Sequence, residues 1–161
     1  MANKKITDLT ELTAVASDDY LEIVDTSENT SNKISRENLA GWHFLTTPLT
    51  STAWDGDAFS TTAKTLIDLS AVFGTPAGIK AVLAWVGVRD SASQTTDCFF
   101  RLSPVSIGDA GIGVNCDYVN DRYGRHLLIV PCDANGDIYY QTAASGTGTM
   151  DVFLQIWGYW L

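Results

Sequence analysis

From about residue 65 onward the chain is a row of short β-type runs separated by turn chemistry, and this alternation limits its architecture more than any other feature. The pattern predicts strands over Thr65–Leu69, Ile79–Arg89, Cys98–Ser103, Gly113–Val119, His126–Cys132, Asp137–Ala143 and Met150–Leu161. Between them lie GTPAG at 74–78, RDSASQTTD at 89–97, SIGDAG at 106–111, NDRYG at 120–124, DANGD at 133–137 and ASGTG at 144–148. Helical periodicity is weak, with room for one short helix near Leu69–Phe73. Short strands at this spacing predict an all-β domain, an antiparallel β-sandwich or jelly roll. Asn135-Gly136 suits a type I′ turn, so His126–Cys132 and Asp137–Ala143 are expected to pair as a hairpin.

Two of the runs are apolar on both faces. Ile79–Val88 reads IKAVLAWVGV, and Met150–Leu161 reads MDVFLQIWGYWL. Strict alternation puts Val152, Leu154, Ile156 and Trp160 on one face of the closing strand, with Phe153, Trp157, Tyr159 and Leu161 on the other. A sandwich strand needs only one apolar face. The second face calls for a cover, and another subunit is the expected one, so Phe153, Trp157, Tyr159 and Leu161 become candidate subunit-interface residues.

The first forty residues are built differently. Apolar side chains there are sparse: Ile6, Leu9, Leu12, Leu21, Ile23, Val24, Ile34 and Leu39 stand among acids, Ser, Thr and Asn. So little apolar surface cannot offset the entropy of ordering the segment by itself. These eight residues are therefore candidate contacts of a docking arm. Within the arm Tyr20–Asp25 reads as a strand, TSENTSN at 26–32 as a turn, and Lys33–Ser35 as a short return strand. Ser35 would cap a brief helix over Arg36–Trp42 that ends at Gly41. The expected division is an arm over 1–42 and a knob over 43–161.

The net charge of −9 is shared between these parts, and no Lys/Arg run occurs. That argues against nucleic acid or an anionic membrane surface as partner. No apolar stretch reaches the roughly 20 residues of a membrane span, and no apolar region follows the N-terminal lysines as in a secretory signal. Synthesis in a cytoplasm is the expectation.

Residues with catalytic potential do not assemble into a set. The two histidines, His43 and His126, have no nucleophile motif to serve, and no phosphate-binding loop is present. Cys98, Cys116 and Cys132 are an odd, dispersed set without metal-ligand spacing, and read as small buried strand residues. All eleven acids after residue 41 are Asp, mostly in turns, where Asp hydrogen-bonds its own backbone. DANGDI at 133–138 misses the calcium-loop positions for Gly and Glu. The chain thus reads as non-enzymatic, without cofactor or metal. Trp54, Tyr118 and Tyr123 are candidate stacking platforms for a glycan.

The arm also carries a resemblance. Ile6-Thr7-Asp8-Leu9, the spacer Thr13–Ser17, Asp19-Tyr20-Leu21-Glu22-Ile23-Val24-Asp25, the polar turn Asn29–Asn32, Lys33-Ile34-Ser35 and Leu39 follow one another as in a segment near the N-terminus of many tailed-bacteriophage virion proteins. This resembles an attachment segment found in tail fibres and in small head-attached proteins, and it covers about a quarter of the chain. The closing Gly158-Tyr159-Trp160 is similar to the Gly-Tyr-aromatic ending of some phage knobs. The resemblance implies a homotrimer on the virion surface, made in the bacterial host cytoplasm. No repeat or shaft separates arm from knob. That favours a capsid decoration (cement) protein docked on the phage major capsid protein. The alternatives are a short tail fibre attached to a tail or adaptor protein and recognising a host surface glycan or protein, and a carbohydrate-binding module.

Overall fold

The computed structural model describes residues 20–25, 30–35, 41–51, 53–54, 63–92, 97–108, 111–116 and 119–161. The chain divides into two compact units, 1–39 and 40–161. In the first, β1 (Tyr20–Asp25) and β2 (Thr30–Ser35) form an antiparallel hairpin. The return strand is longer than its sequence indicated: Thr30–Asn32, read as turn, pair with Asp25, Val24 and Ile23. The segment expected as a helix lies outside the described residues over 36–40, and its last member, Trp42, is in a strand of the second unit.

The second unit is an antiparallel β-sandwich, with eight strands among the described residues. They are β3 (Trp42–Leu49), β4 (Thr65–Ile67), β5 (Ala81–Asp90), β6 (Phe99–Ser103), β7 (Ile112–Asn115), β8 (Gly124–Pro131), β9 (Ile138–Ala143) and β10 (Met150–Trp160). One sheet has the order β3-β10-β5-β8 and the other β4-β9-β6-β7. The first strand thus pairs with the last, the second with the seventh, the third with the sixth, and the fourth with the fifth. This nested pairing is the topology of a jelly roll.

The core lies between the sheets. Val82, Ala84, Val86 and Val88 of β5 and Val152, Leu154 and Ile156 of β10 meet Phe100, Leu102 and Ile138 of the opposite sheet. Helix α1 (Leu69–Phe73) caps one side and buries Leu69 and Phe73. Asp68 accepts a hydrogen bond from the Ala71 N–H at 2.9 Å, and Gly74 ends the helix in the left-handed region at φ 75°.

Three sequence expectations are corrected. The strands expected from sequence begin only at Thr65, yet Trp42–Leu49 is an edge strand; its outward positions and Pro48 hide the alternation. The β8 and β9 strands are not a hairpin, because β8 pairs with β5 in one sheet and β9 with β4 and β6 in the other. Nor does the Asn135-Gly136 turn that was to close that hairpin have the expected shape. A type I′ turn needs positive φ at both central residues, and of these two only Gly136 has it, at 91°. Asp133 Oδ1 instead accepts from the N–H groups of Asn135 and Asp137, making a turn that hands the chain from one sheet to the other.

The third correction concerns the closing strand. The register against β5 slips between Ile156 and Gly158, so Trp157 is an extra, bulged residue. Beyond it the faces exchange. Tyr159, opposite the buried Val82, packs against the core together with Leu161, while Trp160 is exposed. A Cβ on Gly158 would stand 2.9 Å from the His43 carbonyl oxygen, so only glycine lets β3 approach at the bulge.

Candidate interaction face

The two doubly apolar strands, β5 and β10, are neighbours at the centre of one sheet. Residues directly opposite in an antiparallel pair share a face. The register therefore collects Leu83 and Trp85 of β5, Leu127 and Ile129 of β8, Phe153 and Trp160 of β10, and Trp42 and Phe44 of β3 on the side away from the core. Phe44 is 72 % exposed, Leu127 60 %, Ile129 57 % and Trp160 39 %. Other exposed large apolar side chains, such as Leu66, Ile107 and Val119, belong to the other sheet or to loops. An open groove of about 450 Å³ runs across the face, lined by Phe44, Leu45, Leu83, Trp85, Leu127 and Trp157.

Aromatic contacts hold the two ends of the face in shape. At one end Trp42 stacks on Phe44 at 6.1 Å and meets Trp160 edge-on at 5.7 Å. Toward the other, Trp85 meets Phe153 edge-on at 5.3 Å, and Tyr123 lies 5.7 Å from Phe153. Phe153 lies flat over Gly87, where a Cβ would come within 2.1 Å of its ring. Charged side chains pack against the aromatics at this second end. Arg89 pairs with Asp151, and the guanidinium groups of Arg89 and Arg125 sit over the Tyr123 ring at 5.0 and 5.1 Å. Gln155, opposite Trp85, keeps its amide oxygen buried and without a hydrogen-bond partner among the described residues, so the centre of the face presents mainly carbon.

The expected site residues are distributed unequally. Phe153 and Trp157 belong to the outer side; Tyr159 and Leu161 turn inward after the bulge. Of the three expected glycan platforms, Trp54 packs inward against Phe73, Phe100 and Tyr140, with ring centroids 5.6–6.4 Å apart. Tyr123 has two guanidinium groups over its ring, and Tyr118 lies outside the described residues. Of the docking residues, Leu21, Ile23 and Val24 are in β1 and Ile34 is in β2, with Leu21 opposite Ile34. Ile6, Leu9, Leu12 and Leu39 lie outside the described residues.

Phe44, Leu127 and Ile129 were missed from sequence. A signal existed for each: Trp42-His43-Phe44 alternates, and Leu127–Val130 is apolar at consecutive positions, the mark of a strand with two apolar faces.

The two histidines are far apart, whereas Cys98 and Cys116 are neighbours, the Cys116 N–H donating to the Cys98 carbonyl at 2.9 Å. His43 is on β3 and His126 on β8, the two edges of one sheet. His43 stacks on Tyr159 at 5.4 Å. Cys98, Cys116 and Cys132 are free thiols; burial pushes Cys98 up to about 11 and the other two up to about 12. Among the described residues no group of three His, Cys, Asp or Glu side chains could hold a metal ion, and no helix is long and apolar enough to cross a membrane. No protein-family model and no curated protein sequence matches the chain.

Proposed function

We propose that the chain is a structural protein of a tailed-bacteriophage particle, a capsid decoration protein that docks through residues 1–40 and displays the jelly roll as a homo-oligomeric knob. The observation that carries the proposal is the division of labour along the chain. A polar N-terminal unit, whose described part is one hairpin, is followed directly by an eight-stranded sandwich with an apolar outer face. The order of elements in residues 6–39, similar to a phage attachment segment, supports a phage particle as the docking site. An oligomeric knob would deliver several arms together. Linked weak contacts then act at high effective concentration, a gain of about 10² to 10⁴ in avidity. The major capsid protein is the proposed docking partner.

The test is deletion of residues 1–40. The remaining knob should stay soluble and oligomeric but no longer join the particle. A truncated chain that occupies particles fully would overturn the docking role of the arm. Copy number on purified particles tests the site: a decoration protein is present on the scale of the capsid subunits. A count on the scale of tail fibres would move the chain to the tail, where its knob would meet a host glycan or protein.

A further inference from the structure

We propose that the outer face of the β3-β10-β5-β8 sheet is buried against the same face of another copy of this chain, with Phe44, Leu127, Ile129 and Trp160 at the contact. The inference deepens the oligomeric part of the proposed function by naming the surface, and three observations fix a second copy as the occupant.

The first is charge. The chain carries −9, so two copies repel wherever their acids face each other. Among the described residues of its paired strands, the outer face carries two arginines, Arg89 and Arg125, and one acid, Asp151. Asp151 is paired with Arg89, and Arg125 lies over Tyr123 and Phe153. This is a surface on which two acidic chains can meet without opposing carboxylates.

The second is size. Four strands about 4.8 Å apart, crossed by a ten-residue β5 rising about 3.3 Å per residue, make a plane of roughly 20 by 30 Å. That is about 600 Å² before the relief of the side chains is added, close to the roughly 800 Å² each partner buries in a stable interface.

The third is shape and chemistry. The projecting Phe44 and Leu127 flank an apolar groove floored by Leu83, Trp85 and Trp157. An apolar ridge beside an apolar groove is self-complementary, as a contact between like faces requires. Aromatic side chains held by their neighbours lose little entropy when covered. The faces can meet symmetrically in a pair about a two-fold axis, or with the ridge of one copy in the groove of the next in a ring of three, and the measured mass selects between them.

The experiment uses the full chain. Light scattering or sedimentation at micromolar concentration should give two or three times the 17.4 kDa chain mass, and raising the salt should not dissociate it. The variants Phe44→Glu and Leu127→Glu place an acid at positions already open to solvent and should yield monomers with unchanged far-UV circular dichroism. Leu66→Glu, on the other sheet, should leave the oligomer intact. The wild-type Trp emission should shift to longer wavelength on dilution to the monomer, a readout that needs no variant. A wild-type monomer, or an oligomer that survives both face substitutions, overturns the inference. So does a monomer that loses particle binding on Phe44→Glu, because the face then belongs to a virion protein of different sequence. An oligomer that fails to bind particles leaves this inference standing and removes the proposed function; a monomer that binds them through its arm does the reverse.

Discussion

Asp90 is the side chain whose replacement the structure prices most directly. It ends β5, is 1 % exposed, and faces the 145–149 turn that leads into β10. Its Oδ1 accepts from the Ala92 N–H at 2.9 Å and the Ser145 hydroxyl at 2.5 Å. Its Oδ2 accepts from the Ser145 N–H at 2.8 Å and the Thr149 hydroxyl at 3.1 Å. Each oxygen therefore meets one backbone N–H, a donor that cannot reverse. In Asp90→Asn, whichever oxygen becomes NH₂ opposes such a donor. One N–H, that of the half-buried Ser145 or of the exposed Ala92, loses its acceptor at about 1 kcal/mol, and the surviving bonds fall from charge-assisted to neutral strength. The expected loss is about 3 kcal/mol at pH 7.

The pH dependence has a definite sign. Burial pushes the Asp90 carboxyl up, but the hydrogen bonds from Ser145, Ala92 and Thr149 outweigh it and hold the group below its ordinary value. A depressed folded value means the stabilisation is complete above the unfolded value of about 4 and is lost as pH falls through the folded one. Asp90→Asn has no such proton to take up, so the gap between variant and wild type should narrow as pH falls through the lowered folded value. Urea unfolding followed by Trp fluorescence, at one fixed protein concentration and at several pH values, measures both. A difference below about 0.5 kcal/mol at pH 7, within the range of ordinary surface substitutions, would refute the reasoning. So would a difference that stays constant with pH.

Four further outcomes are expected. Gly113→Ala should cost about 3 kcal/mol or detach β7, since its Cβ would stand 2.4 Å from the Phe100 carbonyl oxygen and 2.9 Å from Arg101 Cα. Gly87→Ala should cost only about 1–2 kcal/mol, because the obstacle is the movable Phe153 ring, and Phe153→Ala should absorb most of that cost in a double-mutant cycle read by thermal unfolding. Asp137→Asn should be neutral or stabilising at pH 7. Burial, with Asp68 and Asp133 nearby, raises its carboxyl, while the acceptor for the Leu69 N–H at 3.1 Å survives the change; the advantage should fade as pH falls below the raised value, where the wild-type carboxyl is neutral too. The thiols should be slow to label with a disulfide reagent in the folded protein. Cys116 and Cys132, at about 12 against an ordinary 9.0, hold roughly a thousandfold less thiolate near neutral pH, and equal labelling rates with and without urea would contradict this.

Much of the architecture was legible locally. Tyr20–Asp25 as a strand, Leu69–Phe73 as a helix and seven of the eight strands of the sandwich follow from period-two patterning, caps and turn residues, all of which act within a few positions of sequence. That β5 and β10 carry apolar residues on both faces was legible too, because apolar residues at consecutive strand positions cannot all face one core. Which residues of β10 face outward was not. A single bulge at Trp157 moves Tyr159 and Leu161 to the core side and Trp160 outward, and the bulge is set by the fit of β10 between β3 and β5.

The sequence by itself determined the β class, the polar arm and the absence of an obvious catalytic motif, since composition and short-range pattern suffice for these. Only the tertiary structure decided the jelly-roll pairing, the inward turn of Trp54 and the makeup of the apolar face. Each depends on partners far away in the chain: β3 beside β10, β8 beside β5, and Asn135-Gly136 passing the chain between sheets instead of folding it back. Pairing at that range is chosen by how two whole sheets bury a common core, which no local stretch encodes.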